Sequence, residues 1–256
     1  MAAVAALLER RPALLALRRA LPRHEWPLFT ARSPAHLDVL LQRHCFDAII
    51  LGPDAARGPV LDALRRDFPG LPLIVYLPLR SDDAELLRHL HRERVAAIAV
   101  EGLDEPALTA MLARNGLTAR RESDLLPLAP SLDLIDPLQL QVWAAIIATA
   151  PAGLDTEALA QRFGVRRETL SRRFGAGGAP TLKRAIDAVR LVAAAQLLGN
   201  PGYRVEDVAR LLGFSSVALL QQTARRTLGV SARQIATLDA GRIAERLRPG
   251  RTARWA

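Results

Sequence analysis

The residues of this chain that could do chemistry are mostly arginines, and they are concentrated in its C-terminal part. Residues 1–121 hold 17 basic and 14 acidic side chains, whereas residues 156–256 hold 18 basic and 7 acidic side chains. All basic residues except Lys183 are arginines, whose planar guanidinium donates paired hydrogen bonds to phosphate or guanine. This asymmetry indicates a C-terminal surface that meets phosphates.

The sequence offers little for catalysis, for a metal or for a membrane. It has no GxSxG motif and no phosphate-binding glycine loop, and no HExxH or Cys-His spacing involves His36, His44, His89 or His91. The single cysteine, Cys45, fits a reducing compartment. The apolar N-terminal run is too short for a signal peptide, and no stretch reaches the roughly 18 apolar residues of a membrane span. We expect a cytoplasmic protein that is not an enzyme, with no cofactor, metal or membrane contact.

A local pattern occurs twice in the basic part of the chain. In TEALAQRFGVRRETLSRRF, Ala160 is followed by Gly164 and then by Leu170. The copy VEDVARLLGFSSVALLQQT repeats these intervals 49 residues later, with Ala209, Gly213 and Leu219. Two crossing helices need a small residue where they approach, a turn residue that adopts positive φ, and a large apolar residue between them. The pattern therefore predicts two helix-turn-helix units.

The segment between the two units, Pro180–Leu198, has the apolar periodicity of one amphipathic helix. A helix of this length spans about 28 Å. Successive major-groove faces on one side of DNA are separated by roughly 34 Å. We therefore expect a rigid spacer that offers two recognition helices to consecutive grooves.

The region from about Asp136 to Leu238 resembles the DNA-binding domain of AraC/XylS transcription regulators. The resemblance rests on the two copies above and on the linker-helix stretch RAIDAVRLVAAAQLL. It implies a sequence-specific transcription regulator whose partner is double-stranded DNA. The second copy departs from the family, which usually has aromatic residues at Leu220 and Ala224 and a proline at Ala232.

Carried over by motif, the family's groove-facing positions fall on both recognition helices. Arginine can bind guanine and glutamine can bind adenine in the major groove, and other arginines would contact the DNA backbone. In the first helix these positions are Arg166, Arg167, Glu168, Ser171 and Arg172, although Glu168 could instead orient a neighbouring arginine. In the second helix they are Ser215, Ser216, Val217, Gln221 and Gln222, with Arg225 and Arg226 for the backbone.

The first 115 residues alternate short apolar runs with helical segments, which predicts βα units around a parallel sheet. Ser33 and Ser81 have the residue type of helix N-caps. Strands are predicted at Ala2–Leu8, Trp26–Ala31, Phe46–Leu51, Leu71–Leu77 and Val95–Val100. Helices are predicted near Ala13–Leu21, Pro34–His44, Ala55–Asp67, Asp82–Arg92 and Glu105–Arg114.

This order resembles the receiver domains of two-component response regulators, but the residues for phosphotransfer differ. In LLERRPALLALRRAL the acidic pair is replaced by Arg10 and Arg11, which leaves only Glu9. The acceptor position falls on Gly52, and the positions of the switch hydroxyl and the lysine are Leu77 and Glu101. Such residues cannot hold a magnesium–phosphate site. We expect a pseudo-receiver that dimerises, binds a small ligand or contacts a partner protein.

The predicted fold class is α/β plus all-α. Residues 1–115 form a doubly wound (βα)5 receiver-like domain, 116–136 a linker interrupted by prolines, 137–240 a seven-helix domain with two helix-turn-helix units, and 241–256 a basic tail. Its helices are predicted to begin near Pro137, Thr156, Arg166, Pro180, Val205, Ser216 and Ala232.

Three hypotheses follow. The first is a homodimeric DNA-binding regulator. The second is a protein-interaction adaptor whose helical domain has lost specific DNA binding, which the divergent second unit suggests. The third is a response regulator phosphorylated on Asp54, although an aspartate after Gly-Pro is typical of a turn.

Overall fold

The computed structural model describes residues 3–152, 155–237 and 240–247. The chain divides into two compact units. The first comprises residues 1–120 and 200–203, and the second comprises residues 121–199 and 204–256.

The first unit is built on a five-stranded, wholly parallel sheet with the strand order β2-β1-β3-β4-β5. Its strands β1, β3 and β4 are completely buried because their sequences VAAL, AIIL and LIVYL are apolar on both faces. This order is that of doubly wound, flavodoxin-like folds, so the predicted α/β class is confirmed. The strands are β1 Val4–Leu7, β2 Leu28–Ala31, β3 Ala48–Leu51, β4 Leu73–Leu77 and β5 Ala97–Val100.

Helices cover both faces of this sheet. On one face, Leu17 of α1 and Leu108 and Leu112 of α6 join a core with alternate strand residues such as Ile50 and Ile74. On the other face α2 contacts β1 and β2, and α3 contacts β4. The helices are α1 Arg11–Ala20, α2 Pro34–Arg43, α3 Pro53–Arg57, α4 Pro59–Asp67, α5 Ala84–Arg92 and α6 Leu108–Asn115, the last preceded by the 3-10 turn Glu105–Ala107.

Two details of these helices differ from the sequence-based expectation. The single helix predicted at Ala55–Asp67 is divided into α3 and α4, because Gly58 is extended and Pro59 begins a new helix. The Ser33 N-cap is confirmed, since its hydroxyl accepts a hydrogen bond from the His36 backbone N–H at 3.2 Å. The expectation for Ser81 is wrong, because the helix begins only at Ala84 and Asp83 precedes it.

Four residues from later in the chain, Asn200–Tyr203, belong to the first unit. The Asn200 side chain accepts a hydrogen bond from the Gly70 backbone N–H at 2.7 Å. The Gly202 carbonyl accepts one from the Gln42 amide at 3.0 Å, and the Tyr203 ring packs edge-on against Phe68 at 5.0 Å between centroids. These contacts complete the core at the C-terminal end of α4.

The second unit is helical, as predicted, and its helices begin near all seven predicted positions. Two further helices, α7 and α15, lie in the predicted linker and in the predicted basic tail, while residues 248–256 of that tail lie outside the described residues. The helices are α7 Leu117–Leu125, which starts within the first unit, α8 Pro137–Thr149, α9 Thr156–Arg162, α10 Arg167–Phe174, α11 Leu182–Leu198, α12 Val205–Leu211, α13 Val217–Leu228, α14 Ala232–Ile235 and α15 Ala240–Leu247.

The segment 116–136, predicted as a linker, is largely helical. It contains α7 and the 3-10 turns Leu126–Leu128 and Pro130–Leu132. Its prolines start or stiffen these turns rather than preventing them, as proline does in the first turn of a helix. Leu125 and Leu132 are buried, and the Leu125 carbonyl accepts a hydrogen bond from the Trp143 indole N–H at 3.1 Å. Residues 121–136 of the segment therefore belong to the second unit and contribute to its core, whereas residues 116–120 belong to the first unit.

Helix α11 is the centre of the second unit. Most of its residues are buried, including Ala188, Val189 and Leu191, and it contacts α8, α9, α10, α12, α13, α14 and α15. It begins at Leu182, slightly later than predicted, because Thr181 is the N-cap and accepts a hydrogen bond from the Arg184 N–H at 3.3 Å. Both helix-turn-helix units are thus packed against one buried helix.

Candidate nucleic-acid interface

The first helix-turn-helix unit consists of α9 and α10. Ala160 is buried where the two helices approach, Gly164 adopts φ 65° in the turn, and Leu170 is fully buried between the helices. The Asp155 carboxylate caps α9 by accepting a hydrogen bond from the Ala158 N–H at 2.8 Å. The small residue thus lies where the helices approach, the glycine lies in the turn, and the large apolar residue lies between the helices.

The second unit, α12 and α13, has a longer turn. Ala209 is buried and Gly213 adopts φ 69°, but five residues separate α12 from α13, whereas four separate α9 from α10. The buried leucine of this unit is Leu220, while Leu219 is 39% exposed. The prediction that Leu219 fills the angle between the helices is therefore wrong, because the additional turn residue displaces the second helix by one position.

This displacement reassigns the positions of α13. Ser216 is the N-cap, with its hydroxyl accepting a hydrogen bond from the Leu219 N–H at 3.1 Å, so it corresponds to Arg166, the N-cap of α10. Ser215 lies in the turn before the helix. Ala218, which sequence reasoning missed, takes the position that Glu168 has in α10. Anchoring the register on Leu220 rather than Leu219 would have found it.

The predicted residues of α10 lie mostly at its surface. Arg166, Arg167, Glu168 and Arg172 are exposed, and Ser171 is half-buried. The Arg167 guanidinium is 3.1 Å from the Glu168 carboxylate. A backbone hydrogen bond and this arginine lower the pKa of Glu168. Glu168 thus contacts a neighbouring arginine, the alternative considered for it above.

On α13, the side chains of Gln222, Arg225 and Arg226 are exposed and those of Val217 and Gln221 are half-buried. Arg226 is tied to α11, since its guanidinium donates a hydrogen bond to the buried Asp187 carboxylate at 2.8 Å. A concave surface that encloses a volume of about 530 Å³ runs along the helix. It is lined by Ala218, Gln221, Gln222, Arg225 and Arg226. Its lining combines two amides, one methyl group and two cations.

A polar side chain of a neighbouring helix binds backbone carbonyls at the end of α10, and another binds a carbonyl in the turn before α13. The Gln139 amide, buried in α8, donates to the Phe174 carbonyl at 2.9 Å and the Ala176 carbonyl at 3.1 Å, at the C-terminal end of α10. Arg190 of α11 donates through Nε to the Leu212 carbonyl in the second turn at 2.9 Å. Its guanidinium carbon lies 3.9 Å from the Phe214 ring centroid, and burial lowers the pKa of Arg190.

In the first unit, the sheet edge that carries the phosphotransfer site in receivers is closed by local contacts. The Glu9 carboxylate accepts a hydrogen bond from the Ala55 N–H at 2.8 Å and occupies the space that a side chain at Gly52 would need. Arg10 forms a 2.7 Å ion pair with Glu101. Among the described residues, no three histidine, cysteine or acidic side chains are grouped so as to hold a metal ion.

Other predicted residues of this edge are placed as follows. Leu77 is buried at the end of β4, and the Tyr76 hydroxyl donates a hydrogen bond to the Glu105 carboxylate. Arg11 begins α1, and Asp54 is an exposed residue of the first turn of α3. The edge therefore carries an arginine–glutamate pair instead of acidic residues facing a lysine.

Residues 159–237 match the model of the family described as "Helix-turn-helix domain". The resemblance of this segment to AraC-type helix-turn-helix domains is thereby confirmed. No curated protein matches the chain. No helix in the described part of the chain is both long enough and apolar enough to cross a bilayer.

Solved structures give only distant likenesses. One is RcsB from Salmonella enterica serovar Typhimurium bound to the rprA promoter, which is 15% identical, with 66% of this chain and 86% of that chain covered and a TM-score of 0.38. Another is full-length FixJ from B. japonicum, which is 14% identical, with 90% and 98% covered and a TM-score of 0.40.

Proposed function

We propose that this protein is a sequence-specific, DNA-binding transcription regulator that places α10 and α13 in successive major grooves. The observation that carries the proposal is the pair of helix-turn-helix units packed on the buried helix α11, each with an exposed polar recognition helix. As a 17-residue helix, α11 is about 25 Å long, which suits a rigid spacer between two groove-binding helices.

Electrostatics support the same proposal. Arg166, Arg167 and Arg172 give α10 an exposed cationic surface, and Arg225 and Arg226 do so on α13. Guanidinium groups at such positions bind phosphates and the edges of guanine. The first helix-turn-helix unit is thus the more basic of the two at its predicted groove-facing positions.

The first unit is a pseudo-receiver in this proposal and acts without phosphorylation of an aspartate. Phosphotransfer in receivers requires a divalent cation held by carboxylates, yet Glu9 is engaged with the α3 backbone and Arg10 contributes a positive charge beside it. Asp54 is an exposed residue of the first turn of α3. We further propose that the protein acts in the cytoplasm as a homodimer joined through the first unit, which could instead bind a small ligand or a partner protein.

Salt titration tests DNA binding by the full chain. We expect the affinity for random double-stranded fragments to fall steeply as salt rises, because each phosphate contact releases counterions. Arg172→Ala should weaken binding to a selected specific site by about 1–3 kcal/mol if Arg172 contacts a base. Arg92→Ala, which removes an exposed arginine from α5, is the matched control and should leave binding unchanged. A protein with no affinity even at low salt would be an adaptor instead.

Acetyl phosphate tests the role of the first unit. We expect the intact mass of the protein to stay unchanged after incubation with acetyl phosphate and Mg²⁺. A gain of one phosphoryl group that Asp54→Asn abolishes would support the response-regulator hypothesis and exclude the pseudo-receiver.

A further inference from the structure

The register of α13 determines which of its side chains face outward. Leu220, Ala224 and Thr227 are buried, and they define the inner face of the helix. Ala218 and Gln222 are exposed on the opposite face and are four residues apart, so they are neighbours along the helix surface. Both line the 530 Å³ concave surface. Ala218 and Gln222 therefore form the centre of the outer face of α13, which we call the Ala218–Gln222 pair.

The two recognition helices differ in charge at these two central positions. The residues of α10 that correspond to Ala218 and Gln222 are Glu168 and Arg172, both charged and exposed. In α13 the same positions hold a methyl group and an uncharged amide. The two helices are thus chemically suited to different base pairs.

The amide of Gln222 is free to bind a base. No residue in the described part of the chain forms a hydrogen bond with it. Its neighbouring C=O and NH2 groups match the N6 donor and N7 acceptor of adenine in the major groove, whereas guanine presents two acceptors there. The Ala218 methyl group, one helical turn away, can pack against the 5-methyl group of thymine, which only an A·T pair presents.

The surroundings of the pair are suited to the DNA backbone rather than to bases. Arg225 and Arg226 lie along the same concave surface, and Asp187 fixes the Arg226 guanidinium. Gln221 also lines the surface but is half-buried, at the edge of the outer face. Cations beside an uncharged centre would hold phosphates while the centre meets the base edges.

We infer that α13 recognises an A·T base pair, with Gln222 hydrogen-bonding adenine and Ala218 contacting the thymine methyl group. This inference rests on the proposed function and specifies the base pair that its second recognition helix selects. The groove-facing positions of α10 hold arginines, so the DNA half-site that α10 contacts should differ in base sequence from the half-site of α13.

Selection from a random double-stranded DNA library with the full-length protein provides the site. Parallel selection with Gln222→Ala identifies the half-site of α13 as the part whose consensus changes. In the wild-type consensus we expect an A·T pair there. Replacing that A·T pair with G·C should weaken wild-type binding about tenfold, and Gln222→Ala should reduce this discrimination to about twofold or less.

Replacing the thymine of that pair with deoxyuridine removes only the methyl group. This should weaken wild-type binding about threefold to fourfold, as expected for one buried methyl-sized contact. Ala218→Gly should bind the thymine and deoxyuridine duplexes equally. Since glycine could destabilise α13, Ala218→Ser provides a second variant that keeps a Cβ atom and should also show a smaller methyl effect. Gln141→Ala, which removes an exposed amide from α8, is the matched control for Gln222→Ala and should keep the preference for A·T.

The outcomes separate this inference from the proposed function. Absence of salt-dependent DNA binding by the wild-type protein would remove both. Specific binding with unchanged A·T discrimination in Gln222→Ala, or with no response to deoxyuridine, would overturn the inference alone. Equal weakening of Gln222→Ala on all sequences would also overturn it, because that result indicates a backbone contact.

Discussion

The guanidinium of Arg190 stacks over the ring of Phe214 at 3.9 Å and donates to the Leu212 carbonyl. Leu212 and Phe214 belong to the long second turn, whereas Arg190 belongs to the buried helix α11. A single side chain thus satisfies the backbone of the turn and covers its aromatic residue. This contact holds the turn that precedes α13 against α11.

Replacing Arg190 with alanine should destabilise the second unit. The change removes charge-assisted hydrogen bonds and a cation–π contact, which together contribute about 2–3 kcal/mol. Urea unfolding of the full chain and hydrogen exchange of the α13 amides would measure the loss. Lys183→Ala, which removes an exposed cation from the same helix, should change the free energy of unfolding by less than about 0.5 kcal/mol. Equal effects of the two substitutions would contradict the anchoring role.

Replacing Gln139 with alanine should be costly for α10. The Gln139 amide donates hydrogen bonds to the Phe174 and Ala176 carbonyls. Because Gln139 is only 4% exposed, water cannot easily take over these hydrogen bonds when the side chain is removed. We expect a loss of about 2–4 kcal/mol in the free energy of unfolding, since buried acceptors lose their donor and a cavity forms. Thermal unfolding measures this loss. Leu140→Ala, at the adjacent and 42% exposed position, should have a much smaller effect.

Gly202 has no room for a side chain in the first unit. A Cβ atom there would lie 2.5 Å from Cζ of Phe68 and 2.9 Å from the Asp67 carbonyl oxygen. Gly202→Ala should therefore destabilise the first unit by about 1–3 kcal/mol through overpacking, as measured by denaturant unfolding. Gly199→Ala is the control, because its Cβ atom would meet only an ordinary contact at 3.4 Å. If Gly202→Ala had the same free energy of unfolding as the wild-type protein, Phe68 would be able to move aside without loss of stability.

Glu105 should titrate below the usual range of glutamate. The hydrogen bond from the Tyr76 hydroxyl is the main cause that lowers the pKa of Glu105. Ionised Glu105 therefore stabilises the folded state above the unfolded-state pKa, and this contribution is lost as the pH falls through the lower folded-state value. Carboxyl carbon shifts in a pH titration by NMR should show the pKa of Glu105 rising in Tyr76→Phe. An unchanged titration curve would mean that the hydrogen bond does not favour the ionised form.

Much of the fold could be predicted because its signals are local. Apolar runs such as AIIL and LIVYL predict buried parallel strands, and the Ala160–Gly164 spacing predicts a helix-turn-helix unit. The pairing of Arg10 with Glu101 could not be predicted in the same way. Each residue was recognisable as a departure from receivers, but their contact depends on the fold that brings together positions 91 residues apart.

The register of α13 could not be predicted, for a specific reason. Leu219 and Leu220 are adjacent, so either leucine satisfies an apolar position after Gly213. Only packing against α11 and α12 decides between them. The linker prediction failed similarly, because prolines at Pro127 and Pro130 were expected to end structure but instead occupy the first turns of short helices.

The additional residue in the second turn also limits how assignments of outward-facing residues can be transferred from α10 to α13. One residue along an α-helix corresponds to a rotation of about 100° and a rise of about 1.5 Å. An alignment of the two units anchored on Ala209 and Gly213 would therefore pair each later side chain of α13 with the wrong side chain of α10. Substitutions designed from such an alignment would change side chains of α13 that lie on a different face from their intended counterparts in α10.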